Sequence, residues 1–271
     1  ITAPAYLERI TETMDEVPDI DDKPDAKVLP TMKGTVDFEH VTFRYEEGKN
    51  ILSDVNFHIE PGESIALVGP TGAGKTTIIN LLSRFYDVNE GTVKVDDYDV
   101  RDVTLESLRK QMGVMLQDTF VFSGTIMENI RYGRLDATEE EVIAAAKIVR
   151  AHDFIKDLKD GYNTVVEERG STLSVGQRQL ISFARVLLAD PKILILDEAT
   201  SSIDTKTEEL LQEGLQELLK GRTSFIIAHR LSTIKNSSKI FYIDAGEIAE
   251  AGTHDELMAQ KGLYHHLYQS Q

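Results

Sequence analysis

Alternation of apolar and polar residues marks the first strongly patterned part of the chain. Between residues 36 and 45 apolar side chains occupy alternate positions, apart from a change of phase near His40 that predicts a bulge or bend. A second alternating run follows at residues 55–59, after a polar turn at residues 46–50. The two runs predict an antiparallel sheet at the edge of the domain, an N-terminal β-subdomain.

Short, continuous apolar runs replace this alternation from residue 64 onwards. Such runs are typical of strands that are buried on both faces, and helical patterns separate several of them. The pattern therefore predicts an α/β core built on a parallel sheet. The strand-like runs lie at residues 64–68, 92–95, 112–116, 192–196, 223–227, 239–243 and 248–249.

Residues 118–188 interrupt the pattern of the core. Helical periodicity is present at residues 137–150 and 176–188, and no convincing strand pattern lies between them. We therefore expect an α-helical subdomain inserted into the core, which would itself comprise residues 35–117 and 189–271.

The first 34 residues differ in composition from the rest of the chain. They contain four prolines and a cluster of aspartates, which indicates an entry helix at about residues 5–14 followed by a linker. The chain begins at Ile1 rather than at a methionine, so we expect it to be a piece of a longer protein.

Charge and composition argue against several classes of partner. Lys and Arg number 29 against 46 Asp and Glu, a net charge of −17, whereas binding to nucleic acid or to anionic lipid needs a basic surface. The chain has no cysteine, which excludes disulfides and thiolate metal sites. Its apolar runs are shorter than the ~20 residues of a membrane span. Membrane association is therefore expected to come through a partner or a further segment.

The loop after the run at residues 64–68 carries the pattern G-x-x-x-x-G-K-[ST] of a P-loop NTPase. Glycines let such a loop wrap a phosphate with backbone N–H groups, and the helix that follows adds a favourable dipole. Lys75 is expected to reach the β- and γ-phosphates, and Thr76 to ligate Mg²⁺. The residues predicted to bind ATP here are Gly69, Pro70, Thr71, Gly72, Ala73, Gly74, Lys75, Thr76 and Thr77.

Two carboxylates follow the apolar run at residues 192–196. Asp197 is expected to hold the Mg²⁺ shell, and Glu198 to accept a proton from the water that attacks the γ-phosphate or to orient that water. A solvated acidic turn is the ordinary interpretation of such a pair, but the phosphate loop favours the catalytic one.

The sequence Leu-Ser-Val-Gly-Gln, from Leu173 to Gln177, heads a predicted helix. It resembles the signature motif of the ATP-binding-cassette (ABC) family, with Val175 where the first of two glycines usually stands. Together with the phosphate loop and the paired carboxylates, it makes the chain resemble the nucleotide-binding domain of ABC transporters over residues 35–271. In that family the motif completes the active site of a second copy, which implies contacts to that copy's ATP from Ser174, Gly176 and Gln177.

The same resemblance implies roles for single residues elsewhere. Gln117 would touch Mg²⁺ or the attacking water, His229 would lie at the γ-phosphate, and Asp204 would contact the opposite subunit. Tyr45 matches the aromatic residue that stacks on adenine. Ser174 is expected both to cap its helix and to present an anion site.

Three segments resemble exporters in particular. Residues 122–130 and 168–170 are similar to segments of exporter ATPases, and residues 5–10 look like the stretch after the last membrane helix of a half-transporter. The resemblance implies a transmembrane domain of six helices fused upstream, a second nucleotide-binding domain as partner, and a place at the cytoplasmic face of the cell membrane.

We therefore expect an ATP hydrolase that powers an ABC exporter by ATP-dependent, head-to-tail dimerisation. A soluble ABC-type ATPase of the DNA-repair or chromosome class is one alternative, but those proteins carry long coiled-coil insertions, and only about 96 residues separate Thr77 from Ser174. An importer ATPase subunit and a scaffold that does not hydrolyse ATP are the others. Homodimer and heterodimer both remain open.

Overall fold

The computed structural model describes residues 3–116, 119–167, 172–197, 204–228 and 230–270. In chain order the strands are β1 (Val36–Phe43), β2 (Leu52–Ile59), β3 (Ser64–Val68), β4 (Glu90–Val95), β5 (Tyr98–Asp99), β6 (Met112–Met115), β7 (Gly124–Thr125), β8 (Val165–Val166), β9 (Ile193–Asp197), β10 (Thr223–Ile227), β11 (Lys239–Asp244) and β12 (Glu247–Gly252). The helices are α1 (Ala3–Met14), α2 (Lys75–Leu82), α3 (Leu105–Arg109), α4 (Ile126–Arg131), α5 (Glu139–Ile148), α6 (His152–Lys156), α7 (Val175–Ala189), α8 (Thr205–Leu219), α9 (Leu231–Asn236), α10 (His254–Gln260) and α11 (Leu263–Ser270).

The core is a largely parallel sheet with the strand order β12-β11-β3-β10-β9-β6. Neighbouring strands are parallel except for the antiparallel pair β11–β12. Ile227 at the end of β10 is in register with Leu67 of β3 and with Asp197 of β9. The carboxyl ends of these central strands therefore share one edge, which is where open α/β sheets bind ligands.

The antiparallel sheet has the strand order β2-β1-β4-β5. The pairing of β1 with β4 shifts register between Glu39 and Thr42, and His40 has a φ of 50°. The bulge expected at His40 is thus confirmed. Strand β1 ends at Phe43, so Tyr45 lies just beyond the strand rather than within it.

Alternate residues of the central strands belong to two hydrophobic clusters. Ile193 and Ile195 of β9 share a cluster with α2 and the antiparallel sheet, whereas Leu194 and Leu196 share one with the helices of residues 126–189. The sheet is therefore apolar on both faces, which explains why its strands appear in the sequence as continuous apolar runs.

The chain leaves the core after β6 and returns to it at β9, and the segment between them is mainly helical. Helix α7 packs against α4, α5 and α8. The helical subdomain and the core together confirm the fold class expected from the sequence. One detail differs, since β7 and β8 form a short antiparallel pair inside this subdomain. Two-residue strands are too short to give an alternating pattern.

Residues 27–35, which we call the N-terminal strap, lie against the core. Lys27 forms a β-bridge with Val103, and Leu29 and Met32 are buried in the cluster of the antiparallel sheet. The carboxylate of Asp96 accepts hydrogen bonds from the backbone N–H groups of the last three strap residues. The strap is thus fixed by backbone contacts as well as by apolar burial.

Arg84, just after the end of α2, anchors the chain ahead of the strap. It is 2% exposed and has a φ of 50°. Its Nε donates to Asp87 Oδ1 at 2.9 Å, and Nη2 donates to the Asp21 carbonyl oxygen at 3.1 Å. Nη1 lies 4.0 Å from the carboxylate of Asp22.

None of the described helices is both long enough and apolar enough to cross a membrane.

Candidate active site

Glycines give the loop between β3 and α2 its backbone conformation. Gly69, Gly72 and Gly74 have φ angles of 132°, 80° and 111°, which side-chain-bearing residues rarely adopt. A Cβ on Gly69 would collide with the carbonyl oxygen of Ile243, and one on Gly74 would lie 2.7 Å from Leu52 Cδ2. Glycine is therefore required for the loop to pack against β11 and β2.

Gly74 precedes α2 and, having no side chain, leaves the N-terminus of this helix without a side-chain cap. Free N–H groups and the helix dipole favour an anion at such an end. The Lys75 amine donates to the carbonyl oxygens of Gly69 at 2.7 Å and Pro70 at 2.8 Å, so it lies along the loop. The loop therefore has the conformation and the charge of a phosphate site.

Hydrogen bonds connect the loop through the turn at Gly246 to strand β2. The Ala73 carbonyl oxygen accepts from the Gly246 N–H at 3.1 Å, and the Gly246 carbonyl oxygen accepts from Ser53 N–H at 3.0 Å. Within the loop, Ala73 N–H donates to the Pro70 carbonyl oxygen at 3.3 Å. Of the other predicted contact residues, Thr71, Gly72 and Thr76 are exposed and Gly74 and Thr77 are buried.

Tyr45 lies beside the first turns of α2. Its hydroxyl is 3.1 Å from Thr77 Oγ1, and Asn80 Nδ2 donates to it at 3.4 Å. Its ring stands nearly perpendicular to those of Phe43 and Tyr86, with centroids 4.8 Å and 4.9 Å away. The side chain is 46% exposed, so part of the ring is open to solvent.

Asp197 ends β9 and is half-buried next to β10. Burial lowers the pKa of Lys75, and the negative charge of Asp197 opposes this shift, so the two side chains sense each other. The carboxylate of Asp197 and the hydroxyl of Thr76, an exposed residue, are oxygen ligands of the kind Mg²⁺ prefers. Among the described residues no group of three His, Cys, Asp or Glu side chains gathers as metal ligands. Few protein ligands are usual where a nucleotide supplies phosphate oxygens to Mg²⁺.

The three residues predicted to be catalytic, Gln117, Glu198 and His229, lie outside the described residues. In the sequence they follow closely after β6, β9 and β10, which are neighbours in the sheet. Their roles remain predictions. The described strands show only that the chain segments leading to these positions end at one edge of the core.

The signature segment begins α7 on the helical subdomain. Ser174 Oγ accepts from the Gln177 N–H at 3.2 Å, and the Ser174 N–H donates to Gln177 Oε1 at 3.0 Å, which completes a capping box. The predicted capping role of Ser174 is therefore confirmed. Ser174 is exposed and Gly176 is buried. Val175 is 37% exposed, so its side chain has room at the position where the family usually has a glycine.

Asp204 caps α8 by accepting a hydrogen bond from the Thr207 N–H at 3.0 Å. Hydrogen bonding to Thr207 lowers the pKa of Asp204, which is exposed and therefore carries its charge at neutral pH. Nearby on α8, Glu208 pairs with Arg230 at 2.7 Å. An ionised, exposed carboxylate at this position is available to a second chain.

Sequence reasoning did not identify the residues that hold Tyr45. Asn80 and Tyr86 carry no motif, and Tyr86 is 43% exposed, as surface tyrosines often are. One signal was present, because Thr77 and Asn80 are three residues apart and so lie on the same side of α2.

Several known proteins are similar to this chain. A sequence profile described as ABC transporter matches residues 52–201. An uncharacterized ABC transporter ATP-binding protein of Bacillus subtilis, YknV, is 55% identical over 98% of this chain, which spans 44% of that protein. The fatty acid ABC transporter ATP-binding/permease protein of Mycobacterium tuberculosis is 47% identical over 97% of the chain, which spans 41% of it.

A solved structure of a bacterial Atm1-family ABC exporter with ATP bound has a TM-score of 0.91 and 40% sequence identity, and the match covers 98% of this chain and 47% of the other. The chain thus spans less than half the length of these relatives. The family profile covers both the phosphate loop and the signature segment. The chain therefore belongs to the ABC transporter family and is an ATP-binding and ATP-hydrolysing domain of that family.

Proposed function

We propose that this domain powers an ABC exporter, and that two such domains close head-to-tail around two ATP molecules. One observation carries the proposal. The chain presents two different helix N-termini, that of α2 beside Lys75 in the core and that of α7 beside the exposed Ser174 in the helical subdomain. Each is suited to phosphate, and the family pattern pairs one with the other across two chains.

Within one chain, the loop from Gly69 to Thr77 would hold the phosphates and Tyr45 would stack on adenine. Thr76, Asp197 and Gln117 would hold Mg²⁺, which when bound neutralises charge on the β- and γ-phosphates. Glu198 would accept a proton from the attacking water or orient it, and His229 would contact the γ-phosphate. These assignments are supported by the motif order and by the shared edge of the core strands.

A partner domain would supply the other half of each site, with Asp204 contacting the opposite subunit across the interface. ATP then joins the two domains because its γ-phosphate takes contacts from both. Hydrolysis removes that link and releases the dimer, so the nucleotide shifts a two-state equilibrium between open and closed pairs. The residues of the partner that would complete the site are its Ser174, Gly176 and Gln177.

A transmembrane domain is the other partner we propose, fused upstream so that residues 1–34 connect it to the ATPase at the cytoplasmic face of the membrane. Relatives that carry both functions by name, ATP-binding and permease, support this, as does the exporter structure. The coding sequence upstream of Ile1 tests the fusion. Six apolar spans are expected there, and their absence would favour a separate subunit.

The alternatives are less well supported. A DNA-repair or chromosome ATPase would need a longer insertion and a basic surface, whereas this chain has a net charge of −17. An importer subunit is disfavoured by the relatives named as exporters, one of them a putative multidrug export ATP-binding/permease protein of Bacillus subtilis.

Glu198→Gln tests the proposal directly. We expect ATP turnover to fall by about a hundredfold or more, since general-base assistance is removed while phosphate contacts remain. In the presence of ATP and Mg²⁺ this variant should elute as a dimer from a sizing column. Glu140→Gln, the same change on the exposed surface of α5, should behave like the unaltered protein. Normal turnover in Glu198→Gln would remove the catalytic role, and a monomer at saturating ATP would contradict the head-to-tail pair.

A further inference from the structure

We infer that Glu208 is a positioning residue for His229, and that it acts by holding Arg230, the next residue along the chain. This role rests on the proposed contact of His229 with the γ-phosphate. In the sequence, Glu208 carries no motif and looks like any charged residue on the surface of a helix. Arg230 is conspicuous only because it follows the predicted catalytic histidine, so neither residue has a predicted part in the site.

An ion pair joins the two side chains. Arg230 Nη1 donates to Glu208 Oε1 at 2.7 Å, and Gln212 Nε2 donates to the same oxygen at 3.2 Å. Both charged side chains are largely shielded from solvent, since that of Arg230 is 18% exposed and that of Glu208 is 34% exposed. Water and salt therefore screen this pair less than a fully exposed pair, which favours one defined geometry.

The pair lies close to the edge of the core sheet where the predicted catalytic residues follow their strands. Arg230 and Gln212 line a small cavity together with Asp197, the last residue of β9. Asp197 is in register with Ile227, the last residue of β10, and Arg230 follows Ile227 by three residues. A displacement of Arg230 would therefore shift the chain that leaves β10, which includes the proposed γ-phosphate contact.

Helix α8 is the fixed side of this contact. Asp204 caps its first turn by accepting from the Thr207 N–H, and the helix continues for 15 residues. Glu208 lies near the start of this helix, so the backbone hydrogen bonds of α8 hold it without help from the ion pair. Three leucines of α8 are also buried in the cluster that includes the helices of residues 126–189, namely Leu211, Leu215 and Leu218.

The turn at Arg230 is the dependent side. Arg230 occupies the N-cap position of α9, a helix of six residues, and an arginine side chain has no acceptor with which to cap it. On the other side of His229 in the chain, the Ala228 N–H donates to the Leu67 carbonyl oxygen at 3.3 Å. His229 is thus flanked by one residue held to β3 and one held to α8. The ion pair supplies the second of these attachments.

Turnover in the background of a His229 variant tests the inference. Glu208→Ala should lower kcat for ATP about tenfold, because a small misplacement of a contact to the reacting phosphate is costly. The KM for ATP should stay within about twofold, since Glu208 is not among the predicted contacts to ATP. His229→Ala should lower kcat about a hundredfold. Adding Glu208→Ala to it should change kcat by less than about twofold, because no side chain is left to position.

Glu213→Ala is the matched control, because Glu213 lies on the same helix and pairs with Arg150 at 2.8 Å. It should leave kcat within about twofold, as expected for an exposed ion pair far from the sheet edge. A second measurement concerns the dimer. In the Glu198→Gln background, Glu208→Ala should still give the ATP-dependent dimer on a sizing column. Loss of that dimer would assign the ion pair to the subunit interface and overturn the inference.

An equal fall in kcat on adding Glu208→Ala to the unaltered protein and to His229→Ala would show that Glu208 acts without His229. That result would overturn the inference, as would an unchanged kcat in Glu208→Ala alone. If His229→Ala itself hydrolyses ATP normally, the proposed role of His229 fails, and the role of Glu208 fails with it. Should Glu208→Ala not fold, as judged by thermal melting, Glu208→Gln takes its place with an expected fall of about fivefold, since it removes the charge but keeps the length of the side chain.

Discussion

The N-termini of α2 and α7 would both face phosphate, yet they are built in opposite ways. Helix α2 is preceded by a glycine with no cap and carries the Lys75 amine beside it. Helix α7 closes its own end with a capping box between Ser174 and Gln177. The first end leaves backbone donors and a charge for a ligand. The capping box of the second satisfies the N–H groups of Ser174 and Gln177 without a ligand, and the box itself carries no charge.

The signature helix α7 differs in charge from the other helices that begin with a capping box. Helices α4, α5 and α10 also begin with capping boxes, in which the third helical residue is Glu128, Glu141 or Glu256. Hydrogen bonding to the capping threonine lowers the pKa of Glu128 and Glu141, so these boxes carry a negative charge. At α7 the same position is Gln177. The capping geometry is kept there, but the charge that would repel a phosphate is absent.

Among the changes that test this difference between helix ends, Gln177→Glu has the largest expected effect, since it gives α7 a capping box with glutamate like those of α4, α5 and α10. The carboxylate should cap as well as the amide does, so the melting temperature should stay the same or rise slightly. ATP affinity of the single chain should be unchanged. Like charges across an interface cost about 3 kcal/mol, so ATP-dependent dimerisation should weaken about a hundredfold, as measured by analytical ultracentrifugation.

Glu256→Gln is the reverse exchange at α10 and serves as its control. It should leave dimerisation unaltered, because that box has no place in the proposed interface. A Gln177→Glu protein that dimerises normally with ATP would show that the neutral amide is incidental and that the signature end does not approach phosphate.

A smaller effect is expected when the cap itself is removed. Ser174→Ala and Thr253→Ala both delete an N-cap hydroxyl, which costs about 1 kcal/mol. Each should therefore lower the melting temperature by about 2–4 °C. Only Ser174→Ala should also lower ATP turnover, because its hydroxyl is proposed to serve a second chain. Equal turnover in the two variants would reduce Ser174 to a structural cap.

The smallest effect concerns pH and the α2 end alone. Because burial holds the pKa of Lys75 below its usual value, this amine loses its proton earlier than an exposed lysine as pH rises. The protonated form binds phosphate, so ATP affinity should decline as the pH rises through that lowered pKa. Lys75→Met should bind more weakly and show a flat profile over the same range by fluorescence titration. An identical slope in both proteins would assign the pH dependence to another group.

Local patterns made most of this fold predictable. The glycines of the phosphate loop, the phase change at His40 and the serine that begins α7 each act within a few residues, so the sequence displays them directly. The continuous apolar runs follow from a sheet buried on both faces.

Contacts between distant segments were not predictable in the same way. The strap is the clearest case, since Leu29 and Met32 are single apolar residues near prolines and form no periodic pattern, yet both are buried. The hydrogen bond between Tyr45 and Thr77 joins positions 32 residues apart by side chains that individually have many other uses. For Gln117, Glu198 and His229 the motif order remains the whole basis of the assignment.

Arg84 connects the end of α2 to the chain that precedes the strap. The helix begins at the phosphate loop and ends next to the guanidinium that holds the Asp21 carbonyl oxygen. Asp21 comes before the strap in the chain. We therefore expect tension applied at α1 to reach the far end of α2 before it reaches the strap, which is itself attached to the core. A force on the N-terminal segment and the binding of phosphate at the loop would then act on opposite ends of the same short helix.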